Sequence, residues 1–205
     1  MTTTDSATRG EQTRARLFDA AVHLIAEEGW GAVTTRKIAE RAGVRPGVVH
    51  YHFATVTDLL VDAALDATRR ELGRGLDLLR EAGDVATGLR QVLRAVAEYA
   101  ADEPLTALLS ETLLAARRIG RLREELSALL RELRAVTAEW LRSTGRAEEP
   151  EASAVVLLAA LDGLVLHLLL DPELPTESLA GPLARLAEQA GRPIPASDAG
   201  GTADA

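Results

Sequence analysis

The stretch TTRKIAERAGVRPGVVHYHF, residues 34–53, constrains the fold more than any other part of the chain. Thr34 and Thr35 offer caps for a short helix that runs through Ala42, and Gly43 ends it, because glycine takes the left-handed backbone of a helix stop without steric cost. Pro46 then suits the first turn of a second short helix, where its missing N–H is not needed. Ala39 is small where two such helices must touch, Gly43 stands four residues later at the turn, and Val49 lies six beyond that, facing the same core. This is the spacing of a helix-turn-helix. The same small, turn and apolar sequence also occurs in helical proteins that never meet DNA, so the neighbouring residues carry weight.

Those neighbours are helical in pattern throughout, with no convincing strand. Residues 9–29 repeat Leu17, Ala21, Leu24 and Ile25 at helical spacing and stop at Gly29. A longer helix starts near Thr55 or Thr57 and runs through Leu59, Leu60, Ala63 and Leu72 to about Glu81, before Gly83. Further helices are expected over 84–102, over 104–117 after Pro104, and over 118–143, 151–170 and 176–190, which makes nine and an all-α fold. Residues 9–54 read as a head, 55–191 as a helical core, and 1–8 and 192–205 as solvated tails. With 47% hydrophobic and 26% charged residues in 205, the chain has material for a sizeable core and does not have the composition of a disordered one. Cysteine is absent, which removes disulfides and thiolate chemistry, and the start MTTTDSATRGEQTR has no apolar signal core; a cytoplasmic protein is expected.

A net charge of −8 looks unfavourable for a polyanionic partner, but the average conceals an asymmetry. Residues 1–60 hold seven bases (Arg9, Arg14, Arg16, Arg36, Lys37, Arg41, Arg45) and seven acids, so the whole excess of acid lies in the remainder. A locally neutral head can still turn its bases toward DNA, since salt limits the reach of the acidic body's field to ~10 Å at ~0.1 M. Charge alone neither supports nor excludes nucleic acid.

The segment ASAVVLLAALDGLVLHLLLDP is apolar nearly all round for about twenty residues, a length that fits a membrane span. Asp162 and His167 interrupt it, and its C-terminal Asp-Pro flank lacks Lys or Arg, so no membrane is expected. A helix buried on one side by its own core and on the other by a second subunit fits better. Ala159 and Gly163, four apart, allow close helix approach, and Leu166 and His167 lie near the same seam.

From TRARLFDAAVHLIAEEGWGAVTTRKIAERAG to VRPGVVHYHFATVTDLL the chain resembles the DNA-binding head of the TetR family of transcriptional regulators, over about residues 9–60. The resemblance implies a homodimer that binds a palindromic DNA operator, with the helix at about 45–52 in the major groove, and a C-terminal body that binds a small-molecule effector. It further implies a repressor released by that effector, and a four-helix dimer interface built from the helices at 151–170 and 176–190 and their counterparts. Carried over position by position, Arg36, Arg45, Pro46, Gly47 and His50 match places that touch bases, while Thr35, Tyr51 and His52 match places that touch phosphate. The chemistry is consistent: arginine can hold guanine O6 and N7 together, and hydroxyl and imidazole N–H groups suit phosphate oxygens. One departure is Val56, where the family commonly has a phosphate-anchoring lysine; Thr55, Thr57 or the first N–H groups of the following helix could offset the loss. His50 likewise stands where tyrosine is most common.

In HYHF, residues two apart on a helix point about 200° away from one another, so His50 and His52 cannot share a metal ion. Phe53 is expected in the core, and Tyr51 with its ring packed and its hydroxyl free. The pairs His23–Glu27 and His167–Asp171 read as local ion pairs or solvated helix edges. No nucleophile elbow, phosphate-binding glycine loop, HExxH or DxDxDG pattern occurs, so no catalytic residue, metal or cofactor is expected. An effector pocket would draw on Leu65, Val92, Val96, Tyr99, Leu108, Leu109, Leu126, Leu130 and Trp140, which favours an aliphatic or modest-sized ligand. Two other classes stay open at the level of sequence: a helical enzyme, and a helical adaptor that has lost DNA binding, for which Val56 is the hint.

Overall fold

The computed structural model describes residues 3–145 and 147–189; the expected tail at 192–205 lies outside them. Among the described residues there are nine α-helices and no strand: α1 (Thr3–Glu28), α2 (Thr35–Arg41), α3 (Pro46–His52), α4 (Val56–Glu81), α5 (Val85–Ala101), α6 (Glu103–Ala116), α7 (Gly120–Ser143), α8 (Pro150–Leu170) and α9 (Ala180–Gln189). Short 3-10 turns follow α1 at Trp30–Ala32 and precede α9 at Thr176–Leu179.

The starts of α2, α4, α5 and α6 coincide with side chains that accept orphan N–H groups. Asp84 accepts from Thr87 N–H at 3.0 Å and Asp102 from Leu105 N–H at 3.1 Å, which begins α5 and α6. The Thr87 N–H and hydroxyl, both donating to the ionised form, hold the Asp84 carboxyl below the usual carboxylate range. Two boundaries differ from the sequence reading. The expected tail at 1–8 is helical from Thr3, with no proline between Thr3 and Arg9 to stop α1 extending backward. The last expected helix splits, because the chain first makes the 3-10 turn and α9 begins only at Ala180, with Pro182 in its first turn, where it needs no N–H partner.

Packing divides the apolar side chains into three groups. The first joins Leu17, Leu24 and Ile25 of α1 to Ile38 of α2, Val49 of α3, Phe53, and Leu59 and Leu60 of α4. Its core runs past residue 54, and Leu108 of α6 enters it at 5% exposure. The reason is size: three helices of this length bury too little surface to close a core alone. The second group packs α5, α7, α8 and α9 around Leu89, Leu93, Leu141 and Leu157. The third joins Val61 and Leu65 of α4 to Ala115 and Ala116 of α6 and Leu122 of α7, with Trp30 against it.

α6 therefore belongs to both halves of the molecule. One turn beyond Leu108, the Glu111 carboxylate accepts from the Trp30 backbone N–H at 2.8 Å. Gly29 beside it has φ 83°, and a Cβ there would meet the same carboxylate at 3.4 Å. Removing the acceptor leaves a half-buried N–H without a partner, so Glu111→Ala should lower stability by ~1–3 kcal/mol. The expected result is a lower urea midpoint, read by circular dichroism, with an unchanged slope; an unaltered midpoint would mean that water replaces the carboxylate freely.

Candidate nucleic-acid interface and regulatory core

The turn between α2 and α3 is closed by backbone bonds. Gly43 has φ 65°, its N–H donates to Glu40 O at 3.2 Å, and Val44 N–H donates to Ala39 O at 2.9 Å, which satisfies the last carbonyls of α2. No atom lies near a Cβ built at Gly43, so the need for glycine there is conformational and not spatial. Arg45 enters α3 in extended conformation and Pro46 takes its first position. Ala39 and Val49 are buried against one another's helices in the head core, as their spacing predicts.

Val49 and Phe53, one turn apart, face inward, and Phe53 meets the Phe18 ring with centroids 5.9 Å apart. The other side of α3 presents Pro46, Gly47, His50 and Tyr51, all exposed. Tyr51 corrects the sequence reading: its ring is not packed but 86% exposed. Two residues after an inward-facing Val49 the helix has turned by about 200°, so no core direction is left for it. Its ring neighbour is the half-buried His52, edge-on with centroids 5.2 Å apart.

Five of the seven bases of the head fall into two sets. Arg14 donates to Asp62 at 2.9 Å while its guanidinium lies 4.8 Å from the Phe18 ring and 4.9 Å from that of Phe53. Lys37 pairs with Glu28 and donates to Ala32 O at 3.0 Å. Arg41 pairs with Glu27 at 2.6 Å, and that bond holds the Glu27 carboxyl below its ordinary range. Arg36 and Arg45 are exposed and make no hydrogen bond or ion pair among the described residues. His23 and Glu27 make no pair with one another but stand on a solvated helix edge, both exposed: Glu27 turns to Arg41, and His23 Nδ1 lies 2.8 Å from Asp19 O.

At the start of α4, the Thr55 hydroxyl accepts from Asp58 N–H at 3.0 Å and donates to the Asp58 carboxylate at 2.7 Å. Both of its roles are taken by the cap, which corrects its expected availability for a phosphate; Thr57 stays exposed. Val56 packs partly against the head core. Thr35 is half-buried in the first turn of α2. Arg121 of α7 reaches across to Asp62 and, at 3.5 Å, to Asp58, so the acids of this end of α4 are neutralised from the body.

The nine residues expected to line a pocket are distributed. Leu65 and Leu126 belong to the third group, Val92, Val96 and Trp140 to the second, and Leu108 to the head core. Leu109 is half-buried and Leu130 is 40% exposed. Tyr99 donates its hydroxyl to Leu105 O at 3.2 Å, and burial pushes that hydroxyl up to about 12. A cleft of about 550 Å3 opens between α4 and α7, lined by Leu76, Leu79, Val136 and Trp140 with Arg80 and Glu139. Of the nine, Trp140 is the one that lines it. Val136, four residues before Trp140, could have been found as its same-face neighbour, whereas the α4 side of the cleft, like the Trp30–Glu111 bond, depends on chain crossings that no local pattern encodes.

α8 buries Leu157, Leu161, Leu164 and Leu168 in the body. Its other side is exposed, at Val155, Ala159, Leu166, His167 and Leu169, and a Cβ at the half-exposed Gly163 would meet nothing within 4 Å. The helix is long and apolar enough to cross a membrane, but one face of it is packed into the body core.

Two family profiles cover most of the chain. Residues 17–63 match that of bacterial regulatory proteins of the tetR family, and residues 80–192 match a tetracyclin repressor-like C-terminal domain. An HTH-type transcriptional regulator of Mycobacterium tuberculosis, of uncharacterised role, is 30% identical over 154 residues, spanning 75% of this chain and 78% of its own. The regulator BetI of Rhizobium meliloti is 32% identical over 161 residues, 75% of this chain and 76% of its own. Among solved structures, a transcriptional regulator of Streptomyces coelicolor superposes with a TM-score of 0.70 at 28% identity, over 86% of this chain and 98% of its own. One from Saccharomonospora viridis, in complex with choline, has a TM-score of 0.67 at 20% identity, over 87% and 96% of the two chains. Head, turn and helical body agree with these likenesses over the greater part of the sequence, and the chain belongs to the TetR family of helix-turn-helix transcriptional regulators.

Proposed function

We propose that this regulator is a repressor that binds a palindromic operator as a homodimer and leaves it when a small molecule occupies the body. The observation that carries the DNA reading is the division of charge in the head: Arg36 and Arg45 stand exposed and unpartnered while Arg14, Lys37 and Arg41 are held by acids. In this reading Arg36, Arg45 and His50 read base edges, Pro46 and Gly47 let the backbone of α3 approach them, and Thr35, Tyr51 and His52 hold phosphates. The exposure of Tyr51 suits that role. The head of this reading is residues 9–54 and the regulatory core 55–191, and a DNA-binding protein of this kind acts in the cytoplasm.

Dimerisation rests on α8 and α9, with Ala159, Gly163, Leu166 and His167 at the seam. An exposed row of Val155, Leu166 and Leu169 along a helix already packed on its other side is the kind of surface that a second subunit covers. For the effector, the cleft beside Trp140 has mainly apolar walls, and its Arg80 and Glu139 are engaged by Asp77 at 2.9 Å and by Arg142. A largely neutral molecule of modest size suits it. α6 is the natural route from body to head, because Leu108 and Glu111 grip the end of α1 while Ala115 and Ala116 pack on α4 and α7.

Selection of binding sites from random duplex DNA should return a two-fold palindrome, and failure to enrich any sequence would overturn the regulator reading. On that operator, Arg36→Ala should cost ~1–3 kcal/mol and relax one symmetric base position, whereas Tyr51→Phe should weaken all sequences alike. Equal losses of Arg36→Ala on operator and scrambled DNA would remove it as a base reader. Val56→Lys should tighten binding to any duplex and steepen its salt dependence by about one counterion per subunit; an unchanged slope would mean residue 56 does not face the backbone. Gly163→Leu meets open space within one chain. It should therefore leave the monomer folded but overpack the dimer seam, by ~1–3 kcal/mol per site, and abolish operator binding. Sedimentation showing an intact dimer would take α8 out of the interface.

A further inference from the structure

α8 and α9 pack against each other and both rest on α5, so the sides they turn away from α5 form one two-helix surface. On α8 this surface carries Val155, Ala159, Asp162, Leu166 and Leu169, at steps of four and three residues, which is a single seam with a carboxylate in its middle. On α9 it carries Arg185 and Leu186, both exposed, opposite the inward Ala180 and Ala187. The charged side chains described on these two helices are few. Glu151 is bonded to Arg142, while Asp162 and Arg185 have no hydrogen bond or ion pair among the described residues, and His167 is the other titratable group of the face. Each copy thus offers one acid and one base on the same surface that make no ion pair within the chain, the charge acting on Asp162 being that of Arg134 of α7.

Two-fold symmetry turns that into a constraint. In an isologous contact, residue i of one copy meets residue j of the other and j meets i, so a seam centred near Gly163 brings the two Asp162 carboxylates toward one another in apolar surroundings. Like charges there would oppose association unless a cation accompanies them. Resting on the dimer reading above, we propose that Asp162 of each copy pairs with Arg185 of the partner subunit, and that these two reciprocal ion pairs select a second copy of this chain over other helical surfaces. Already in the single chain, although Asp162 is exposed, partial desolvation beside the apolar seam raises its carboxyl, and Arg134 of α7, which makes no ion pair with it, opposes this only in part. A carboxylate in that position gains from the nearby guanidinium that the partner would bring.

The test is a charge swap on the full chain, followed by sedimentation across a concentration series with circular dichroism as a check of folding. Asp162→Arg alone and Arg185→Glu alone each place like charges at both contacts, and each should raise the dimer dissociation constant about a hundredfold or more. An equimolar mixture of the two variants should recover a dimer, because in the mixed species both contacts again join unlike charges. Single variants that dimerise like the wild type would overturn the pairing. A mixture that stays monomeric while the double variant Asp162→Arg/Arg185→Glu dimerises would assign the pair to one chain and overturn it as an intersubunit contact; if the double variant stays monomeric too, the two charges do not meet at all. A wild type that is itself monomeric would instead refute the dimer reading on which the proposal rests.

Discussion

Closure of the head by α6 is the constraint on which the remaining architecture depends. α1, α2 and α3 present an apolar face that they cannot cover among themselves, and Leu108 from a helix fifty residues downstream completes it. Glu111, on the same face of α6, fixes the end of α1 through the Trp30 N–H. A helix held at one end by the head and at the other by α4 and α7 cannot shift without moving one of them, because close-packed interiors transmit displacement and do not absorb it. Any coupling between an occupant of the body and the orientation of α3 has this helix available to it.

Charge is arranged around the same joint. The acids at the start of α4, Asp58 and Asp62, are met by Arg14 from the head and Arg121 from the body, so that α1, α4 and α7 share one ionic cluster. These pairs are largely solvent-accessible and each contributes little to stability, but together they cancel negative charge next to the face that a polyanion would approach. Arg36 and Arg45 are left outside every such pair. A chain with net charge −8 can in this way keep a short stretch of unshielded positive charge where α2 and α3 begin.

α8 shows how one composition serves two surroundings. Its apolar residues are distributed almost evenly around the axis, and only packing divides them into a face covered by α5, α7 and α9 and a face left to solvent in the single chain. Its length of 21 residues and high mean hydropathy, not any exposure to lipid, are what make the helix long and apolar enough to cross a membrane.

The sequence by itself determined the helical class, the positions of most helices and the inward residues of the head, since Ala39, Gly43, Val49 and Phe53 express local geometry: helical period, a left-handed stop, and contact across one tight turn. The outward direction of Tyr51 was legible too, from its place two residues after Val49, once the period is applied strictly. Local pattern does not specify which distant segments meet. The Trp30–Glu111 bond spans 81 residues. The pairing of Lys37 and Arg41 with Glu28 and Glu27 and the cleft between α4 and α7 arise only when the helices cross, whereas the cap that occupies Thr55 is local, three residues from Asp58. For the same reason the nine leucines, valines and aromatics that look alike in sequence were separated, six of them among three cores and Leu130 left 40% exposed: apolar character favours burial, and the topology alone decides whether and against what.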